Sequence, residues 1–277
     1  MARSTFFHDL SSLPDRRARL TLRLLVFFLR PLVEIEHLER LHRLPRPAIF
    51  AFNHNNAFET LAVPALLIYL RRGRLIHFFV DWMYLRIPLV GWILRQCQPI
   101  PVFTKKARWD LWRSYREKQS RRRPVEEALE KLRTGGCVGI FPEGTRNSHL
   151  EKLRRGRLGV GELVLGADAP VVPVGIQFKA RHRLGRMPVL GRIRLVVGEP
   201  MAFRKERRTA LELALAPGPD PQPREAALEL RRVIVHRVME SLAQVSSKTY
   251  PYRSVAEPEA SARTPRPVLP ADRLEVL

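Results

Sequence analysis

Cys137-Val138-Gly139-Ile140-Phe141-Pro142-Glu143-Gly144-Thr145-Arg146-Asn147 is an apolar run that stops abruptly at a proline and a glycine. A short apolar run closed by turn formers predicts a buried strand that leads straight into a tight turn. The stretch from Pro124 to Leu132 just before it has helical periodicity and is closed by Gly135-Gly136. Upstream, Ala48-Ile49-Phe50-Ala51-Phe52 repeats the strand pattern and ends at Asn53-His54-Asn55-Asn56. Asparagine favours turns and helix N-caps, so a helix over Thr60–Leu70 is expected next, with Pro64 straining or shortening its first turn.

Working outward, Ile76–Val80, Ile100–Phe103, Pro170–Ile176 and Ile193–Val197 read as further strands. Trp82–Leu94, Glu162–Leu165 and Arg224–Gln244 read as helical, and Arg108–Arg123 as a charged amphipathic stretch. Strands alternating with helices predict an α/β fold, a single domain over 45–245 with a central mostly parallel or mixed sheet flanked by helices. Residues 1–44 are assigned to an N-terminal membrane-associating helical segment. Its apolar part, Leu20–Val33, is shorter than the ~20 residues a span requires and is interrupted by Arg23 and Arg30. It suits an interfacial helix, with an ordinary core helix as the alternative. Trp82, Tyr84, Arg86 and Trp92 pose the same choice between interfacial anchors and aromatic core. Residues 246–277 turn to Pro, Ala, Ser and Arg and read as a disordered tail.

At 277 residues and 45% hydrophobic content the chain can bury a substantial core. Its net charge of +22, from 49 basic and 27 acidic residues, favours anionic partners such as a membrane surface or phosphorylated substrates. Arginine dominates the basic set, and a compositional bias explains that equally well. No basic-aromatic module signature accompanies the charge, which argues against nucleic acid as a partner. Cys97 and Cys137 are too few for a disulfide framework and read as reduced core thiols. No Cys/His spacing suits a metal, so no metal site is expected, and no secretory signal is evident at the N-terminus.

Two segments carry chemistry. On one helix His54 and Glu59 would lie roughly 140° apart, so they meet only if His54 precedes the helix and Glu59 falls in its first turn. A carboxylate on one imidazole nitrogen then fixes the tautomer while the other nitrogen removes an alcohol proton. A solvated histidine at a helix start is the alternative. In the second segment, the amides of the Glu143-Gly144-Thr145 turn can converge on an anion, with Arg146 gripping phosphate oxygens. A plain β-turn with a solvated arginine is the alternative there.

Together these residues resemble the glycerolipid acyltransferases, in particular the bacterial 1-acylglycerol-3-phosphate (lysophosphatidate) acyltransferases. The family's first block, Asn-His followed by four residues and Asp, is similar to Asn53-His54 through Glu59. Its block Phe-Pro-Glu-Gly-Thr-Arg-Asn is matched without substitution by Phe141–Asn147. Arg155-Gly156, Pro170–Val174 and Gly198-Glu199-Pro200 resemble weaker blocks, so the similarity covers about residues 45–200. By resemblance, His54 is the general base and Glu59 its orienting partner. Arg146, the Gly144 and Thr145 amides and Lys105 or Lys106 would hold the acceptor phosphate, while Glu143 would either brace that loop or bind an acceptor hydroxyl. The co-substrate would be an acyl-CoA or acyl-carrier-protein thioester with no further cofactor, and the acceptor a lysophospholipid. The protein would be peripheral or monotopic at the cytoplasmic face of the membrane. Two departures stand out: Glu59 replaces the family's Asp, and Lys105-Lys106 stand where an arginine is usual, which opens the choice of acceptor. Ornithine-type lyso-lipids, and a catalytically weak membrane-binding homologue, are the alternatives.

Overall fold

The structure is a computed structural model that describes residues 9–13, 15–44, 46–55, 59–103, 123–147, 149, 151–184, 187–215 and 222–252. The predicted strands form β2 (Ala48–Phe52), β3 (Ile76–Asp81), β4 (Ile100–Val102), β5 (Cys137–Ile140), β6 (Val171–Leu184) and β7 (Met187–Val197). A strand not foreseen, β1 (Val33–Glu36), lies at the sheet edge on β7. Its alternating Val-Glu-Ile-Glu pattern is that of an edge with one wet face. Glu34 and Glu36 form ion pairs with Arg192 and Arg194 across the pair.

The sheet order is β1-β7-β6-β2-β5-β3-β4, parallel at every pairing except the β6–β7 hairpin. Period-two alternation sends Ala48, Phe50 and Phe52 to one face and Ile49 and Ala51 to the other. The first face is covered by α1 (Arg16–Leu29), α2 (Leu38–Arg43), α3 (Glu59–Leu70) and α4 (Pro88–Arg95). The second is covered by α5 (Pro124–Arg133), α6 (Gly159–Gly166) and α8 (Gln222–Ser246), with α7 (Arg204–Leu215) packed beside α6 and α8. Helices on both faces explain why the central strands read as continuous apolar runs.

Pro64 lies inside α3 without ending it. The expected helix over Trp82–Leu94 is instead a 3-10 turn, Tyr84–Arg86, followed by α4. Pro88 explains the break, because the residue before a proline avoids helical backbone and the proline then opens a new helix. Trp82 is not an interfacial anchor: it is buried and stacks on Phe103 at 6.3 Å. Among the described side chains of this stretch, Ile87 and Trp92 expose large apolar surface.

The first 44 residues do contain the expected helix. Ala18, Leu22, Val26 and Leu29 bury one stripe of α1, while Leu20, Leu24, Phe27 and Phe28 leave a second stripe in solvent. No helix among the described residues is long and apolar enough to cross a membrane. Residues 246–252, placed in the tail by sequence, are packed on the domain. Gly175 makes this possible, since a Cβ there would meet the Val245 carbonyl oxygen at 2.0 Å. The end of α8 can therefore press onto β6, and the chain beyond it runs beside residues 151–153, with Leu153 N donating to Thr249 O at 2.9 Å and Thr249 N to Glu151 O at 2.8 Å. The predicted stretch Arg108–Arg123 lies almost wholly outside the described residues, as does 253–277.

Candidate active site

Parallel register creates the site. Ala51 pairs with Ile140, and the same offset carried three residues further sets His54 opposite Glu143. Both lie outside the carboxyl ends of parallel strands, where α/β sheets open a crevice. Asn53 anchors the departure of β2: its Nδ2 donates to Ile176 O at 2.8 Å, and Ile176 N donates to its Oδ1 at 2.6 Å. The side chain thus continues the β2–β6 ladder one step past the strand. His54 follows, its ring 4.5 Å from that of Phe141.

Glu143 is only 1% exposed and accepts three hydrogen bonds. Its Oε1 takes the backbone N–H of His54 at 3.0 Å, and its Oε2 takes Asn147 Nδ2 at 2.7 Å and Arg154 N at 2.8 Å. Asn147 N in turn donates to His54 O at 2.7 Å. The two expected roles of Glu143, loop brace or substrate contact, are therefore separated by geometry: it braces. Gly144 also departs from expectation. Its N–H donates to Phe141 O at 2.9 Å, closing a β-turn that Gly144 completes at φ +67°, so that amide is committed to the turn. Thr145 and Arg146 remain exposed beside it. Lys105 and Lys106 lie outside the described residues.

Glu59 is fully buried at the start of α3. Its Oε2 accepts from Asn55 N and its Oε1 from Asn55 Nδ2, each at 3.0 Å. His54 Nδ1 is buried with no hydrogen-bond partner among the described residues. The expected carboxylate–imidazole bond is thus not formed. The extra methylene of Glu59 relative to Asp lets the carboxylate reach the Asn55 amides, so it supports the turn that carries His54 rather than the ring. Burial, and secondarily the Arg146 guanidinium, pull the His54 pKa down to about 4. The imidazole is therefore neutral at pH 7 and able to take up a proton.

Sequence reasoning missed Asn53, Asn55 and Asn147 as side-chain struts, although their number in two turns was a usable signal. It also missed Lys248. The Lys248 ammonium donates to Asn55 Oδ1 at 2.6 Å and to His149 O at 2.9 Å. Burial lowers its pKa, opposed by the charges of Glu143 and Glu59. No local signal marks it, because it stands at the start of what reads as a tail. Arg155-Gly156, by contrast, lies in a basic run that lines one cleft with Glu143 and Thr145. Among the described residues no group of three or more His, Cys, Asp or Glu could hold a metal ion.

A family model described as Acyltransferase matches residues 32–177, more than half of the chain. The chain belongs to the acyltransferase family. The acyltransferase match contains His54, Glu59, Glu143 and Arg146 and stops well short of Lys248. The 1-acyl-sn-glycerol-3-phosphate acyltransferase of Bacillus subtilis (strain 168) is 31% identical over 77 residues, 28% of this chain and 36% of that protein. The chloroplastic 1-acyl-sn-glycerol-3-phosphate acyltransferase LPAT1 of Arabidopsis thaliana is 24% identical over 177 residues, 61% of this chain and 43% of that protein. The matched regions thus span less than half the length of either acyltransferase. The crystal structure of the 1-acyl-sn-glycerophosphate acyltransferase PlsC from Thermotoga maritima is similar with a TM-score of 0.49 and 19% identity, covering 82% of this chain and 83% of that one.

Proposed function

We propose that this acyltransferase moves a fatty acyl group from a thioester, acyl-CoA or acyl-carrier protein, to the hydroxyl of a lysophospholipid, 1-acylglycerol-3-phosphate in the first instance. The observation that carries this reading is the bond from His54 N to Glu143 Oε1, which joins the turn bearing the imidazole to the turn bearing the exposed Arg146, whose charge acts on that imidazole. Arg146 holds the acceptor phosphate in a charge-assisted pair. His54 takes the hydroxyl proton as the oxygen attacks the thioester carbonyl. The tetrahedral intermediate then collapses, the C–S bond breaks, and the imidazolium returns its proton to the thiolate. No covalent acyl-enzyme is required. A phosphate on Arg146 offsets the charge that depresses the His54 pKa, so acceptor binding itself makes the base stronger.

The protein works as a peripheral or monotopic protein at the cytoplasmic face of a membrane. Leu20, Leu24, Phe27 and Phe28 form an exposed apolar stripe on α1, flanked in sequence by Arg16, Arg17, Arg19, Arg23 and Arg30. Apolar side chains edged by arginines suit the headgroup boundary of an anionic bilayer. A small cavity of about 30 Å³ is lined by Leu22 and Leu25 of α1 and by Ile93 and Leu94 of α4. Ile87 and Trp92, on the stretch that carries α4, also expose apolar surface.

The test is transfer itself. Purified protein is incubated with labelled acyl thioesters and a panel of lyso-lipids, ornithine-type acceptors included, and the product is identified by mass. Phosphatidate formation that disappears in His54→Ala is expected; undiminished turnover in that variant sinks the mechanism. A second reading, a catalytically weak membrane-binding homologue, is favoured by the unpartnered Nδ1 of His54. If Glu59→Asp turns an inactive parent into an active enzyme, this second reading holds.

A further inference from the structure

On the side of the Glu143 turn where Thr145 stands lies a cleft of about 580 Å³, lined by Lys152, Arg154, Arg155, Arg157, His149 and Tyr252 among others. Arg146 does not line it. Many arginines elsewhere are matched to acids, as in Arg40–Glu199, Arg192–Glu34, Arg207–Asp168 and Arg237–Glu206. Lys152, Arg154, Arg155 and Arg157 have no carboxylate partner among the described residues. The one carboxylate in the lining, Glu143, is buried and occupied by three N–H donors.

The backbone of this run is nevertheless tied down. Arg154 N donates to Glu143 Oε2 at 2.8 Å, Arg157 N to Pro142 O at 2.8 Å, and Gly156 N to the Tyr250 hydroxyl at 3.3 Å. A rigid main chain that leaves four cations facing one concavity is arranged for an anion of several charges. The chain after α8 contributes to the wall: Tyr252 lines the cleft, with its ring 5.2 Å from that of Tyr250.

We propose that this cleft seats the diphosphate and ribose phosphate of a nucleotide-linked acyl thioester, coenzyme A, with the adenine against the Tyr252 ring. The inference rests on the acyl-transfer reading and assigns the donor within it. Acyl transfer has two substrates, and two basic places flank the Glu143 turn. Arg146, which acts on His54, takes the single phosphate of the acceptor; the larger and more charged cleft takes the donor. Its volume is that of a small-ligand site, and forked guanidinium groups pair naturally with phosphate oxygens. An acidic carrier protein would instead need an extended surface rather than a concavity of this size.

The experiment measures both substrates on the full chain. Arg155→Gln and Arg157→Gln should each raise the acyl-CoA KM about tenfold, the size of one lost charge-assisted contact, and leave the lyso-lipid KM unchanged. Binding of CoA by calorimetry, which needs no turnover, should weaken in parallel and be competed by adenosine 3′,5′-bisphosphate. A rise in the lyso-lipid KM instead gives the cleft to the acceptor and overturns the inference. A rise confined to acyl-carrier protein makes it a protein-docking surface and overturns it equally. Displaceable CoA binding in a protein that transfers no acyl group supports the cleft while defeating the transfer reading. Acyl transfer with unaltered CoA binding in both variants does the reverse.

Discussion

The backbone N–H of His54 donates to Oε1 of Glu143 at 3.0 Å, joining residues 89 positions apart. Through this bond the turn after β5 holds the turn after β2, so the imidazole and the basic residues following Glu143 share one scaffold. Glu143→Gln keeps the size but converts one acceptor oxygen into an NH2 group facing a donor. A buried donor left unmatched costs about 1–3 kcal/mol. A lowered Tm in thermal unfolding and at least a tenfold loss of transfer are expected. An unchanged Tm would show that the three hydrogen bonds contribute little.

Burial, and after it the Arg146 guanidinium, depress the His54 pKa, which stands at about 4. The acid limb of kcat/KM reports the free enzyme, and should therefore lie well below the ordinary histidine value of ~6.5. Arg146→Gln removes the repelling charge, so the limb should move to higher pH while the acceptor KM rises. A pH–rate series on both proteins checks it; a limb that stays put separates Arg146 from His54.

The same depressed pKa has a consequence for stability. Between pH ~4 and ~6.5 the unfolded chain binds a proton at His54 that the folded protein rejects, so stability rises with pH across that window. It levels off above it. His54→Ala should abolish transfer yet flatten this part of the stability–pH curve, and its cost at pH 7 should be limited to the lost packing on Phe141, because the buried Nδ1 has no partner among the described residues. Denaturant unfolding at pH 4.5 and pH 7 measures the difference.

Lys248 fixes which way the Asn55 amide faces: with Oδ1 accepting from Nζ, Nδ2 is left to donate to Glu59 and to Ile176 O. Lys248 is therefore a positioning residue for the histidine turn. Lys248→Met should lower kcat by ~10- to 100-fold, in keeping with small misplacements of a reacting group, while both KM values hold within about twofold. Lys248→Arg should restore part of it. Equal losses in the two variants, tracking Tm, would reduce Lys248 to a structural contact.

Phe27 and Phe28 are 59% and 67% exposed on α1. Replacing both with Asp removes apolar area and adds charge that an anionic bilayer repels. Sedimentation with phosphatidylglycerol vesicles should fall several-fold, with turnover of short-chain, water-soluble acceptors retained. Undiminished sedimentation assigns membrane contact to another surface.

The α/β class and most strands were legible because buried parallel strands are written as uninterrupted apolar runs between turn formers. Edge strand β1 was not, since its Val-Glu-Ile-Glu alternation is too short to stand out from the preceding apolar segment. His54, Glu143 and Arg146 were legible as residues through the resemblance of Asn53–Glu59 and Phe141–Asn147 to acyltransferase blocks, since each turn alone reads at least as well as an ordinary solvated turn. Their roles were less so. Glu143 reads in sequence as either a loop brace or a contact to an acceptor hydroxyl, and only its three backbone and side-chain donors make it a brace.

By itself, the order of apolar runs and turns determined that two loaded turns would sit at strand ends, since strand length and termination are local properties. Which turns became neighbours was decided only by the parallel pairing of β2 with β5 and β6, a long-range choice made by burial on both faces of the sheet. Tertiary structure alone also turned Glu59 toward Asn55 instead of His54, a difference of one methylene measured against a fixed backbone. It likewise brought Lys248 to the site from 193 positions away, because helix packing against Gly175 has no counterpart in local sequence.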